Sequence, residues 1–283
     1  MIIAIAGYRG FIGRHLQKEF ASHELILLDR KDLYGDPGQL SEKIQNADVV
    51  LNVAGFSVSK RWTPRNRIKI MESRVRLTQN LVEAMNLMKK KPACFINSSA
   101  IGVYEYDLTH TEEEYTYGTG FLVDVVKKWE DAARGVSDET KLILMRIGLV
   151  LGNDGGALPR LFRLFNLGLG GIIGKGKQVY SFIHIKDLCA AIAFLIEKKS
   201  AGVYNFTSPE PVTNKVFTKT IARELKRPAF IPIPLFAMRM VMGKASVIVT
   251  KGQTVYPKRL EDDGYKFTFA SINDAIHNLV SQQ

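Results

Sequence analysis

The sequence predicts an α/β fold, a Rossmann-like doubly wound parallel sheet with a small C-terminal lobe. Three observations carry that expectation. Short apolar runs alternate with amphipathic segments along the first half of the chain. A glycine triplet, Gly7, Gly10 and Gly13, follows the first apolar run directly. An acid, Asp29, closes the second run. Strands buried on both faces read as nearly continuous apolar stretches, and helices between them supply right-handed crossovers.

The elements follow in order. IIAIA (2–6) is a first strand, and FIGRHLQKEF (11–20) has helical periodicity. ELILLD (24–29) and ADVVLNVAG (47–55) are the second and third strands, with a short crossover helix in 37–46. Residues 65–88 read as one long amphipathic helix, with Ile68, Met71, Val75, Thr78, Val82 and Met85 at three- and four-residue steps. ACFINSSA (93–100) is a fourth strand, FLVDVVKKWEDAARG (121–135) a helix ending at glycine, and KLILMRIGLVLG (141–152) a fifth strand. Residues 1–152 thus form a dinucleotide-binding domain, its sheet completed by parts of 181–208. Residues 153–283 form a mixed substrate-side lobe, glycine-rich at 153–178 and with a tail from about 232.

Composition narrows the function classes. The chain carries 39 basic and 28 acidic residues, a formal charge of +11. The only tight basic run is Lys89–Lys91, at a predicted helix end where it complements the dipole. No zinc finger, basic zipper or RNA-binding sheet motif accompanies the charge, so an anionic small ligand, rather than nucleic acid, is the expected use of it. No apolar stretch approaches a membrane span, and MIIAIAG reads as a buried strand rather than a secretion signal, so a cytoplasmic location is expected. Cys94 and Cys189 lie in apolar contexts, and the five histidines show no ligand spacing, so no disulfide and no metal are expected.

The glycine triplet, GxxGxxG between a strand and a helix, fits a pyrophosphate cradle. One glycine turns the chain, one admits the phosphates, and one allows close helix packing. Phe11 and Ile12 begin the helix whose N–H groups face the ligand. Asp29 stands where a carboxylate contacts the adenosine ribose, and Ala54 and Gly55 end the third strand at the same edge. Asp29 favours NAD. Arg9 and Arg30 favour the 2′-phosphate of NADP, and two guanidiniums against one carboxylate make NADP the expected cofactor.

The combination of GxxGxxG, Asp29, NVAG and SSAIGVY (98–104) resembles the short-chain dehydrogenase/reductase superfamily, extended type. Further stretches narrow the likeness. SKRWT (59–63), ESRVRLTQNLV (72–82), KKWEDAA (127–133), RIGLVLGNDGGALPRL (146–161), LGLGGIIGKGKQ (167–178), FIHIKD (182–187) and GQTVYPKRLEDDGYKF (252–267) resemble the atypical branch labelled "epimerase family protein", which carries a short C-terminal domain of unknown function. The resemblance implies an NAD(P)-dependent oxidoreductase or epimerase and a possible homodimer through helices at 65–88 and 119–134.

The superfamily pairs a tyrosine with a lysine four residues later as its proton relay. None of the ten tyrosines here has that lysine. The matching helix puts Phe121 or Leu122 near the tyrosine position and Val125 or Val126 near the lysine. The superfamily's helix asparagine falls on Arg74. Ser99, Tyr104 and Arg74 are therefore the catalytic candidates, and Arg146, at the end of the fifth strand, a cofactor contact. Arg61, Trp62, Ser98, Tyr117 and His184 are candidates for the substrate, expected to be a small anionic metabolite. Two alternatives stand beside this oxidoreductase reading: a nucleotide-sugar epimerase or dehydratase that retains its cofactor, and a non-catalytic redox-sensing protein that binds NADP(H).

Overall fold

The structure is a computed structural model, and it describes residues 1–229 and 231–282. Six strands form one parallel sheet: β1 (Ile2–Ala6), β2 (Glu24–Leu28), β3 (Val49–Asn52), β4 (Cys94–Ala100), β5 (Lys141–Ile147) and β6 (Gly202–Phe206). Their spatial order is β6-β5-β4-β3-β1-β2. The order reverses between β1 and β3, so the crevice that such sheets use for ligands opens above Gly7 and Asn52.

The helices of the first half are α1 (Phe11–Glu19), α2 (Arg30–Tyr34), α3 (Pro37–Ile44), α4 (Pro64–Glu72), α5 (Val75–Leu87) and α6 (Phe121–Arg134). The second half adds α7 (Leu158–Asn166), α8 (Ile185–Glu197), α9 (Asn214–Glu224) and α10 (Leu235–Met242). One sheet face packs Ile3, Ile5, Ile96 and Met145 against Leu16 of α1 and Leu188, Ile192 and Leu195 of α8. The other packs Ala4, Val50, Phe95 and Leu144 against Leu40, Leu81, Met85 and Ala133. That division follows from strand alternation, since successive side chains face opposite ways. A further cluster joins Leu158, Phe162 and Phe165 of α7, Phe217 and Ile221 of α9, and Ile276 and Leu279 of the terminal helix Ile272–Ser281. Among the described residues no helix is long and apolar enough to cross a membrane.

Two elements differ from the sequence expectation. The single helix predicted over 65–88 is two, broken at Ser73 and Arg74. Ser73 explains the break: its hydroxyl accepts from Phe56 N at 2.9 Å and donates to Ile70 O at 3.2 Å, drawing the chain toward the turn after β3. The fifth strand predicted over 141–152 ends at Ile147. Gly148 lies so close to Ser181 that a Cβ there would stand 2.3 Å from its carbonyl oxygen. Leu149–Leu151 then leaves the sheet and pairs with Phe182–His184.

Candidate functional site

The glycine turn is built against the turn that follows β3. Gly7 has φ +89°, and a Cβ on it would stand 2.7 Å from Ala54 N. A Cβ on Gly13 would stand 2.3 Å from Gly7 O. Both positions therefore admit glycine alone, one by conformation and contact, the other by contact. Gly10 N donates to Gly7 O at 2.9 Å, and Gly10 caps α1 without any side chain that accepts from the first-turn N–H groups. Those donors and the positive end of the helix dipole fit a pyrophosphate. Phe11 does not face this space. Its ring lies against Gly152, Gly155 and Gly156, where added Cβ atoms would stand 2.5, 2.5 and 3.3 Å away. Arg14 and His15 extend that seam to Asp154, at 3.2 and 2.8 Å. Ile12 is half-buried in the first turn of α1.

At the β2 end, Asp29 caps α2 in a reciprocal box with Asp32. Arg9 Nη2 reaches Asp29 Oδ1 at 3.0 Å, and the Tyr8 hydroxyl donates to the same oxygen at 3.0 Å. Arg30 is exposed beside them, over the Tyr34 ring at 5.6 Å.

Beneath the crevice lies a buried polar network that the sequence reading did not single out. Asn52 Nδ2 donates to Asn97 Oδ1 at 2.6 Å and to Thr78 Oγ1 at 3.0 Å. The indole N–H of Trp129 donates to the same Thr78 oxygen at 3.0 Å. Asn52 Oδ1 accepts from Ala54 N at 3.3 Å, which ties the network to the turn that seats Gly7. The signal for it was an asparagine directly after each of two successive apolar runs, VVL before Asn52 and CFI before Asn97.

Several candidates prove to be structural. Tyr104 is fully buried; its hydroxyl donates to Asn205 Oδ1 at 2.7 Å and accepts from Arg146 Nη1 at 3.0 Å. Burial pushes this phenol up to about 12, against the pull of the nearby Arg146 charge. A sealed, doubly bonded phenol has no access to the crevice, so Tyr104 is not the proton donor. Arg146 is not a cofactor contact: it is 1% exposed and holds Glu130 through Nε at 2.8 Å and Nη2 at 2.9 Å. Burial alone would raise the Glu130 carboxyl, but Arg146 outweighs it, with help from Ser99 and Arg134, and holds it below the ordinary range. Ser99 donates to Glu130 Oε1 at 2.6 Å, so its hydroxyl is committed to this buried pair and does not orient a substrate. His184 caps α8, its Nδ1 accepting from Lys186 N at 3.2 Å, and stacks on Phe269 at 3.9 Å. It is a buried capping histidine and not a substrate contact.

The remaining candidates differ in exposure. Ser98 faces away from Ser99, and its buried hydroxyl has no partner among the described residues. Arg74 sits at the break before α5. Its Nη1 donates to Phe56 O at 2.9 Å and Ile70 O at 3.3 Å, and its guanidinium lies 5.1 Å from the Trp129 ring. Trp62 donates to Val58 O at 2.9 Å and meets Phe121 edge-on at 5.3 Å. Arg61 reaches the Met240 carbonyl of α10 and so links the loop after β3 to the C-terminal segment. Tyr117 is 40% exposed, with its hydroxyl 3.3 Å from that of Tyr115 and Lys127 Nζ 4.4 Å from its ring. Among the described residues no group of three or more His, Cys, Asp or Glu is placed to hold a metal.

Comparisons with known proteins bear on the family and the fold. The profile of the NAD dependent epimerase/dehydratase family matches residues 3–206, and a domain of unknown function, DUF1731, matches residues 233–279. Epimerase family protein SSP1921 of Staphylococcus saprophyticus is 37% identical, over 98% of each chain. The crystal structure of human epimerase family protein SDR39U1 (isoform 2) with NADPH superposes with a TM-score of 0.91 at 29% identity, over the whole of both chains. A nucleoside-diphosphate sugar epimerase from Corynebacterium glutamicum superposes at 0.79 with 29% identity, over all of this chain and 59% of that one.

Proposed function

This chain belongs to the NAD dependent epimerase/dehydratase family, and from that premise we propose that it is an NADP(H)-dependent oxidoreductase acting on a small anionic metabolite. The observation that carries the reading is the pairing of a turn that admits no Cβ at Gly7 or Gly13 with two arginines, Arg9 of that turn and Arg30 after β2, beside Asp29. The human relative described with NADPH supports the same cofactor. When bound, the nicotinamide supplies or accepts a hydride.

The chain's own residues do the rest. Gly7, Gly10 and Gly13 let the first-turn N–H groups of α1 hold the pyrophosphate. Arg9 and Arg30 hold the adenosine phosphate through charge-assisted hydrogen bonds. Ala54 and Gly55 form the floor of the turn. Tyr117 is the exposed phenol left in place of the usual relay, with the Lys127 ammonium against its ring. The turn carrying Trp62, with Phe121 against it, gives the mouth an apolar side.

A nucleotide-sugar epimerase is the second reading, favoured by the likeness to the Corynebacterium glutamicum enzyme. It requires an acid/base pair at the sugar carbon, and this chain has Phe121 or Leu122 near the superfamily's tyrosine position and Val125 or Val126 near its lysine. The two readings separate by experiment. Purified protein is mixed with NADPH and a panel of aldehydes, ketones and enones, with and without carboxylates, and absorbance is followed at the nicotinamide band. An oxidoreductase consumes NADPH with at least one acidic member. Cofactor that copurifies and is never consumed, together with inversion of a nucleotide sugar, would sink the proposal in favour of the epimerase.

A further inference from the structure

Between Ser59 and Arg76 the chain carries seven basic residues, Lys60, Arg61, Arg65, Arg67, Lys69, Arg74 and Arg76, against one acid, Glu72. Among the described residues none of the seven forms an ion pair with a carboxylate. Four of them lie on aromatic faces instead. Lys60 and Lys69 flank the Phe56 ring at 4.9 and 5.7 Å, Arg67 lies over Phe121 at 4.4 Å, and Arg74 over Trp129 at 5.1 Å. Such contacts hold a cation in place without neutralising it.

Arg74 differs from the other six, which are exposed, in being half-buried. Burial lowers its pKa to about 10, so it remains charged at neutral pH in a place that disfavours charge. Among the described residues all its hydrogen bonds run from Nη1, to neutral oxygens of Phe56, Ile70 and Ser73. Nη2 lies beside the exposed Gly55, 3.1 Å from where a Cβ would be. Gly55 follows Ala54, whose backbone seats Gly7. The guanidinium is thus fixed through Nη1 and held against an indole, with Nη2 left beside Gly55 in the turn that follows β3. A buried charge of this kind is ordinarily matched by an opposite one, and planar oxyanions fit a guanidinium edge.

We propose that Arg74 is the substrate's oxyanion reader, pairing with a carboxylate or phosphate on the metabolite, with the Lys60–Lys69 segment as the basic rim that draws it in. This rests on the oxidoreductase reading above and names the recognition group within it. The residue acts where the superfamily carries an asparagine, so the substitution turns a relay position into a binding position.

The test uses full-length protein. NADP binding is measured first, and the NADP-saturated protein is then titrated by calorimetry with inorganic pyrophosphate and, separately, with malonate, at constant ionic strength. The expected result is saturable binding of one of them, with the preferred probe deciding between phosphate and carboxylate. Arg74→Gln then weakens that probe tenfold or more and changes NADP affinity less than threefold. If Arg74→Gln does not fold, Arg74→Lys carries the comparison, with a loss of threefold or more expected. Equal losses for NADP and probe would overturn the proposal by assigning the guanidinium to the cofactor's own pyrophosphate. An unchanged probe constant, or no saturation by either probe while NADP binds, would overturn it too and leave the cofactor reading standing. Failure of the wild type to bind NADP would instead remove the reading beneath it.

Discussion

Arg9 and Asp29 meet at 3.0 Å, and the Tyr8 hydroxyl shares the same carboxylate oxygen. The acid that would read a ribose 2′-hydroxyl is therefore already engaged by a guanidinium from the glycine turn. With Arg30 exposed next to it, the end of β2 has a net positive edge. An incoming 2′-phosphate meets two cations and one neutralised carboxylate.

That relationship predicts the response of cofactor choice to mutation. A charge-assisted hydrogen bond is worth about 1.5–3 kcal/mol, or roughly tenfold to a hundredfold in affinity. Arg30→Ala should raise the Kd for NADPH by at least tenfold and that for NADH less than twofold. Asp29→Asn should tighten NADPH. Equal effects on both cofactors in fluorescence titrations would show that neither side chain reads the phosphate.

The cradle itself predicts a steric failure. A Cβ at residue 13 falls 2.3 Å from Gly7 O, so Gly13→Ala must push α1 away from β1 or open the turn. Overpacking of this kind costs about 1–3 kcal/mol. Denaturant unfolding should show that loss, and NADPH affinity should fall a hundredfold or more. Wild-type affinity in a folded Gly13→Ala protein would mean the phosphates lie elsewhere.

The Glu130–Arg146 pair predicts a stability effect without a catalytic one. Both side chains are almost fully buried, and removing one partner strands the other. Breaking such a pair costs about 3–5 kcal/mol. Glu130→Ala should lower the urea midpoint accordingly. Tyr104→Phe removes two hydrogen bonds, to Asn205 and from Arg146, and should leave NADPH affinity within twofold of wild type. A large loss of affinity on that change would return Tyr104 to the site.

His184 predicts a pH dependence. Burial, aided by the Lys186 charge, lowers its pKa to about 4, from an ordinary value near 6.5. Between those limits the unfolded chain binds the proton and the folded one does not, so stability falls as pH drops from about 6.5 to about 4. The slope approaches about 1.4 kcal/mol per pH unit in mid-window. His184→Asn keeps a capping acceptor and removes the titration, so its urea stability should change less over that range. Parallel pH profiles for the two proteins would exclude the assignment.

Legibility in the sequence followed locality. The strands 2–6 and 24–28 and the glycine turn are written in contiguous residues, and the structure has them where periodicity and GxxGxxG put them. What was missed depends on contacts between distant segments. The break at Ser73 exists because Phe56 donates to its hydroxyl, and the amphipathic pattern runs through the break undisturbed. Arg146 near the end of β5 and Tyr104 in the GVY turn after β4 stand where a site is expected, but their neighbours Glu130 and Asn205 come from α6 and β6 and draw both into the interior. The basic residues of 60–76 look scattered along the chain. Folding sets several of them against the rings of Phe56, Phe121 and Trp129.

The most direct measurement is a pair of equilibrium titrations of the wild-type protein, with NADPH and with NADH, at matched ionic strength. Saturable binding of NADPH is expected, at least tenfold tighter than NADH, with the preference shrinking as salt screens Arg9 and Arg30. Equal affinity for the two, or a preference for NADH, would contradict it and make Asp29 the deciding group.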